Sequence, residues 1–314
     1  MRAPTLGLLL AAAAANAAPF GNPSIGSKPY GVLILANNVG GAWKTELGAI
    51  RSQLHGVAVE SVESEADGVA IQRAINRLRA QHVGKIVAVP LELISESSFM
   101  DELRYLFGVS AEPADDRPDR AGAGMPPLRS SSKPALVLPS NTRFKRLTSE
   151  VDLVLTDTMD KSPLLVQILA ERAKAQARQP ANEAVVLVGL APRSDKRLAS
   201  WKTSTAAIAE AVRVSGGFRE AAVIWVRDGV KAGQQDNDRT ENQATLRLLT
   251  TQGAVVAVPL ALDGRLIGRL LTRQLGSARY RWNGKGIIGD KRLIDWVRTV
   301  SAYASKFPDV RKHR

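Results

Sequence analysis

The most chemically suggestive position is Glu92, which follows the apolar run Ile86-Val-Ala-Val-Pro-Leu91 at the point where a strand would hand over to its loop. A carboxylate there can act as an oxygen ligand or a general base; the plainer alternative is a solvated or paired acid. Asp157, Asp160, Asp228 and Asp263 occupy comparable loop positions. Asn37 and Asn38 end another apolar run, where their amides can hydrogen-bond or weakly coordinate a ligand, or merely cap a turn. The corresponding loop farther on reads Gly189-Leu-Ala-Pro-Arg-Ser-Asp195. Neither loop carries GxGxxG or a P-loop, so a nucleotide-phosphate cradle has no support. Histidine is confined to His55, His82 and His313, which follow a helix, precede a strand and lie in a basic tail. That spacing supports neither a paired-histidine metal site nor a Ser/His/Asp triad. The absence of cysteine removes thiolate metal sites and disulfides.

Basic and aromatic residues mix in Arg143-Phe-Lys-Arg146, in Arg279-Tyr-Arg-Trp282 with Lys285, and in Arg311-Lys-His-Arg314. Such clusters can hold phosphates or stack bases, but no nucleic-acid-binding signature accompanies them. They suit a polycarboxylate equally, through charge-assisted hydrogen bonds, or they are solvated surface.

The elements that must position these residues occur twice. Trp43, Leu47, Ile50 and Leu54 share the spacing of one helix face, and Trp201, Thr205, Ile208 and Val212 repeat it. Val32-Leu-Ile-Leu35 and Val185-Val-Leu-Val188 precede these helices, and both halves later contain Val-Ala-Val-Pro-Leu, at 87–91 and 256–260. Asp160-Lys161 and Asp290-Lys291 form a third echo. Three echoes in one order predict an internal duplication. By this alignment Glu92 faces Ala261, so its chemistry is not duplicated. In the first unit the patterns predict strands at about 31–36, 57–62, 85–91 and 151–156, with helices at about 43–54, 67–80, 98–107 and 163–178, the last started by Ser162-Pro163. In the second they predict strands near 184–189, 221–227 and 254–261, and helices near 199–213, 238–251, 264–274 and 291–305. Asn283-Gly284 suggests a short hairpin or an irregular loop. Continuous Val/Ile/Leu strands separated by amphipathic helices predict parallel sheets covered on both faces. The fold class is therefore α/β, two tandem doubly wound parallel-sheet domains, with ligands expected beyond the carboxyl ends of the strands.

The 314 residues fit two domains, and 45% hydrophobic with 23% charged content argues against wholesale disorder. Residues 1–18 read as a signal peptide: Arg2, an apolar stretch through Ala15 and small residues to Ala18 predict export to the periplasm or medium after cleavage near Ala18. The first domain then spans 19–180, the second 181–306, and a basic tail 307–314. Residues 111–134, with five prolines and the acidic-basic string at 115–120, form a flexible insertion in the first domain. No later run is long and apolar enough to span a membrane. The formal charge of +13, about +12 once Arg2 is removed, predicts an anionic partner.

The arrangement resembles the sirohydrochlorin cobalto/ferrochelatase family of class II chelatases in its tandem form. Leu33-Ile-Leu-Ala-Asn-Asn38 and Val186-Leu-Val-Gly-Leu-Ala191 match the family's opening strands, 87–93 and 256–262 match its later strands, and 159–172 is similar to the segment that follows the last strand of a half. The resemblance covers roughly 30–300. It implies a chelatase-like fold and an activity that inserts or handles Co²⁺ or Fe²⁺ with a tetrapyrrole in the interdomain cleft, without a nucleotide. The family's opening histidine falls at Asn37 and Leu190, and its second near Ser97 or Ser98 and near Arg265. Neutral imidazole binds metal and accepts protons near pH 7; Asn accepts no proton there, and Leu does neither. What remains is Glu92 and Asn37 as catalytic and weak metal-binding candidates, with Asn38, Ser97, Ser98, Arg193 and Arg265 as ligand-binding candidates. The alternative is a non-catalytic exported protein that binds a tetrapyrrole, a metal or another anionic molecule.

Overall fold

A computed structural model describes residues 29–37, 41–63, 66–113, 145–227, 232–275 and 279–312. The leader, Asn38, Asp228, Arg143, His313 and all but the first residues of the 111–134 insertion lie outside the described residues.

Strands and helices alternate through both halves. The first runs β1 (Tyr30–Ala36), α1 (Trp43–Gln53), β2 (Ala58–Glu63), α2 (Gly68–Ala80), β3 (Lys85–Leu91), α3 (Ser98–Leu106), β4 (Asp152–Leu155) and α4 (Pro163–Lys174). The second runs β5 (Ala184–Leu190), α5 (Asp195–Gly216), β6 (Glu220–Val226), α6 (Ala232–Gln252), β7 (Val255–Pro259), α7 (Arg265–Leu275), β8 (Arg281–Trp282) and α8 (Lys291–Ala304). Two four-stranded sheets result, ordered β2-β1-β3-β4 and β6-β5-β7-β8, with every pairing parallel.

Strand alternation divides the core into layers. Leu33, Leu35, Ile86 and Ala88 face α2 and α3 on one side of the first sheet. Val186, Val188 and Ala257 face α6 and α7 on the outer side of the second. The inner faces, including Ile34, Val89, Leu187 and Val258, join a single hydrophobic cluster with α1, α4, α5 and α8. The last helix of each half crosses over: α4 packs on α5 and β7, and α8 packs on α1 and β3. The halves therefore share their central layer.

Three elements differ from the sequence patterns. Asn283-Gly284 does turn the chain, with Gly284 at φ +66°, but it closes no hairpin. β8 instead pairs parallel with β7, as β4 does with β3. Helix α5 begins at Asp195, capped by Ser194 Oγ accepting from the Arg197 N–H at 3.3 Å. Its first turn is polar and so has no apolar period to detect. Helix α6 likewise begins at Ala232, ahead of the first apolar repeat. The described part of the basic tail is pinned to the first half. Lys85 Nζ donates to the carbonyl of Phe307 at 2.5 Å, Arg311 donates to the carbonyls of Ser149 and Val151 at 2.9 Å each, and Lys312 pairs with Asp152 at 2.9 Å.

Gly189 illustrates how tightly the second sheet is packed beside the strand ends. It pairs with Trp225 across β5 and β6, and a Cβ at 189 would lie 2.3 Å from the Trp225 ring. That ring is held from the other side by Trp201, at 5.5 Å between centroids. Gly189→Ala should therefore overpack the site and cost about 1–3 kcal/mol. The expected readout is a lower urea midpoint at unchanged slope; a wild-type midpoint would mean that the ring has room to move.

Candidate functional site

Parallel register brings the candidate residues of the first half together. Ala36 pairs with Leu91, so Asn37 and Glu92 leave adjacent strands side by side. In the second sheet Ala184 takes the place of Gly31 and Val255 that of Ile86. The same offsets put Leu190 at the position of Asn37 and Ala261 at that of Glu92. The asymmetry expected from sequence thus holds in three dimensions.

Glu92 folds back into its own loop. Its carboxylate accepts the Leu93 N–H at 2.8 Å, the Ile94 N–H and a hydrogen bond with the Ser97 side chain. Its carbonyl accepts the Met159 N–H at 3.0 Å. Burial pushes its carboxyl up to about 7, with the nearby Asp160 charge adding to the rise and these hydrogen bonds opposing it. Asp160 is itself engaged, accepting the Ser95 N–H at 2.9 Å and the Thr158 hydroxyl. Ser97 is the N-cap of α3, accepting from the Met100 N–H at 3.2 Å, and Ser98 opens the helix.

The loop from 92 to 98 is clamped to the second half. Glu96 accepts from Ser200 and Ser204 through its carboxylate, at 3.2 and 3.0 Å, while its carbonyl accepts from Arg197 and from Trp201 Nε1, at 2.5 and 3.2 Å. Arg197 also pairs with Asp101 at 2.8 Å. Trp201 therefore has a polar role that its sequence echo does not share, since the buried Trp43 Nε1 has no hydrogen-bond partner among the described residues.

A groove of about 960 Å³ lies at the carboxyl ends of β7 and β8, lined by Arg265, Arg269 and Trp282 and bordered by Gly41 from the first half. Arg265 is held by Asp263 at 2.6 Å yet remains 61% exposed, and its guanidinium reaches 4.0 Å from where a Gly41 Cβ would stand. Arg193 lies in the β5–α5 loop, where its carbonyl accepts from Arg227 at 3.3 Å. Glu92 and Asn37 are not among the groove's lining residues. The histidines sit at the other end of the strands: exposed His55 precedes β2, and His82, in a left-handed conformation at φ +59°, lines a groove of about 570 Å³ ahead of β3. Among the described residues, no group of three or more His, Asp or Glu is placed to hold a metal, and no helix is long and apolar enough to cross a membrane.

The basic clusters mostly serve the fold. Arg146 donates to the carbonyls of Ser110 and Ala111 and lies over the Tyr105 ring. Arg281 pairs with buried Glu183 at 2.5 Å, and Arg311 pairs with Asp309. Sequence reasoning missed Arg227, which follows β6, is 1% exposed and contacts Asp195 and Asp238. Its place at the end of an apolar run was the available signal. Arg269 was missed because it falls at no echoed position, whereas Trp282 belongs to the basic-aromatic cluster that the sequence singled out.

Neither protein-family models nor curated proteins match this sequence. Solved structures do. The chain is similar to SirB from Bacillus subtilis with Fe³⁺, at 14% identity and a TM-score of 0.55, over 90% of this chain and 99% of that one. It is also similar to the sirohydrochlorin chelatase SirB from Bacillus subtilis subspecies spizizenii in complex with cobalt, at 13% identity and a TM-score of 0.52, over 88% and 96%. DR2241 from Deinococcus radiodurans, a multi-domain protein with structural similarity to chelatases, matches at 13% identity and a TM-score of 0.48; this chain spans 55% of its length. The two parallel sheets and their helices are thus a chelatase-like α/β fold.

Proposed function

We propose that the protein binds an anionic tetrapyrrole in the cleft at its strand carboxyl ends, together with Co²⁺ or Fe²⁺ as a second ligand, rather than inserting the metal. The observation that carries this reading is an arginine-walled groove at the carboxyl ends of a chelatase-like sheet. Insertion requires a metal ligand and a group that takes up pyrrole protons near neutral pH. Asn37 accepts no proton, Leu190 offers neither function, and of the candidate positions Glu92 is the one with a carboxyl, pushed up to about 7. Its carboxylate is already engaged by its own loop. In the insertion alternative, Glu92 is the proton acceptor and Asn37 a weak metal ligand. Export, proposed from the leader-like residues 1–18, also favours binding, because biosynthetic metal insertion is normally cytoplasmic.

The test is absorbance spectroscopy of the purified protein with sirohydrochlorin, with and without Co²⁺. Binding predicts a spectral shift without metal, and cobalt insertion no faster than in the protein-free control. Accelerated insertion that is lost in Glu92→Ala would replace this reading with the enzymatic one. No shift and no insertion would remove both.

A further inference from the structure

Most of the polar side chains that line the groove are hydrogen-bond donors: Arg265, Arg269, Thr272, Trp282 and Asn283. Arg265 and Arg269 lie one turn apart on α7 and both line it. Asn283 spends its side-chain oxygen on the Lys285 N–H at 3.0 Å, which leaves its amide N–H groups as donors. Asp263 is the only acid lining the groove among the described residues, and Arg265 occupies both of its oxygens, with Nε at 3.0 and 3.1 Å and Nη2 at 2.6 Å. Exposed Arg269 makes no hydrogen bond among the described residues and acts on Asp263 only through its charge; the Trp282 indole N–H makes no hydrogen bond among them either.

Two glycines approach the half-buried Trp282 indole at its N–H edge, where a side chain would crowd it. A Cβ on Gly268 would come within 3.1 Å of Trp282 Nε1, and one on Gly284 within 3.3 Å. The groove thus joins an aromatic side chain to donors on Arg269 and Asn283 that make no hydrogen bond among the described residues, beside an Arg265 already engaged by Asp263. A ligand that complements it carries acceptors and charge on a planar frame. Carboxylates meet a guanidinium in bidentate fashion, and a flat ring stacks on the indole.

We infer that this groove of the second half seats the carboxylate-bearing edge of a planar macrocycle, with Arg269 as the principal carboxylate partner, Arg265 as a second, and Trp282 as the surface on which the ring rests. This assignment rests on the tetrapyrrole reading above and adds to it which half holds the ligand's charged rim.

Fluorescence titration of the full chain with metal-free uroporphyrin, a planar octacarboxylate, tests it. Arg269→Ala should weaken binding about tenfold or more, the usual scale for losing a charge-assisted hydrogen-bond pair. Arg273 is exposed on the same helix but does not line the groove, so Arg273→Ala should stay within about twofold of wild type. Both positions are exposed, so both variants should melt with the wild-type protein. If Arg269→Ala binds as wild type does, the groove assignment is wrong while the tetrapyrrole reading stands. Equal weakening by both substitutions would mean general charge attraction and would also overturn it. Failure of the wild-type protein to bind would remove the reading and the assignment together.

Discussion

Glu92→Gln should make the protein more stable at pH 8 by as much as about 3 kcal/mol, with the gain vanishing towards pH 4. Burial raises the Glu92 carboxyl from its ordinary 4.5 to about 7. Between those values the folded chain holds a proton that the unfolded chain has released, so stability falls as pH rises. The contribution of the protonated form is complete below 4.5 and is lost as pH rises through about 7. Above that, the native state must carry a charge in its interior, near Asp160. Gln resembles the protonated carboxyl: its oxygen can still accept the Leu93 N–H, and its amide presents a donor without charge. The measurement is a pair of urea titrations, wild type and variant, at several pH values. Taking the difference cancels every other titrating group. A difference that is flat with pH, or that favours wild type at pH 8, would show that Glu92 ionises as freely in the folded chain as in the unfolded one.

The same residue shows what a sequence reveals and what it withholds. The strand runs at 86–91 and 185–188 were legible because buried parallel strands are continuously apolar; the repeated Val-Ala-Val-Pro-Leu aligned Glu92 with Ala261, and the matching opening strands aligned Asn37 with Leu190. Register in the two sheets follows that alignment. The location of the histidines at the far edge was equally readable, because it depends only on whether a residue precedes or follows a strand. Hydrogen-bond partners were not legible. Nothing in the string 92–98 indicates that Glu92 turns into its own loop while Glu96 reaches across to Ser200 and Ser204. The crossing of α4 and α8 was hidden for a related reason: apolar spacing marks which face of a helix is buried, not which sheet it meets. Charge clusters misled most. Arg146, Arg281 and Arg311 stood out by composition but are spent on carbonyls and buried acids. Arg269 drew no notice, because its availability depends on Asp263 having already engaged Arg265.

Arg227→Ala should cost about 3–5 kcal/mol, the scale for removing one partner of a buried ion pair. This would lower the melting temperature by roughly 10 °C. Arg227 is 1% exposed and ties three helices to the end of β6. It meets Asp195 at the start of α5 at 2.6 Å, and Asp238 on α6 at 2.9 Å through Nε, in a contact too bent to be a hydrogen bond. Nη2 adds a longer hydrogen bond to Asp238 at 3.4 Å, while the Arg227 carbonyl accepts from Gln274 on α7 at 3.0 Å. The two acids differ in consequence. Asp195 is 68% exposed and can be rehydrated, so Asp195→Asn should cost under about 1 kcal/mol. Asp238 is 10% exposed; burial already pushes its carboxyl upward, and the Arg227 charge opposes this most, with Lys202 a lesser one, so truncating Arg227 strands a carboxylate inside. Arg227→Lys should recover little, because one ammonium cannot replace a fork that meets acids on two helices. Pairing Arg227→Met with Asp238→Leu should recover most of the loss, since two apolar side chains bury without a charge to desolvate. If Arg227→Ala melts within about 2 °C of wild type, a smaller shift than one kcal/mol usually produces, the cluster does not hold the second sheet's helices together. If the double variant is no better than the single one, the loss comes from packing rather than from the stranded charge.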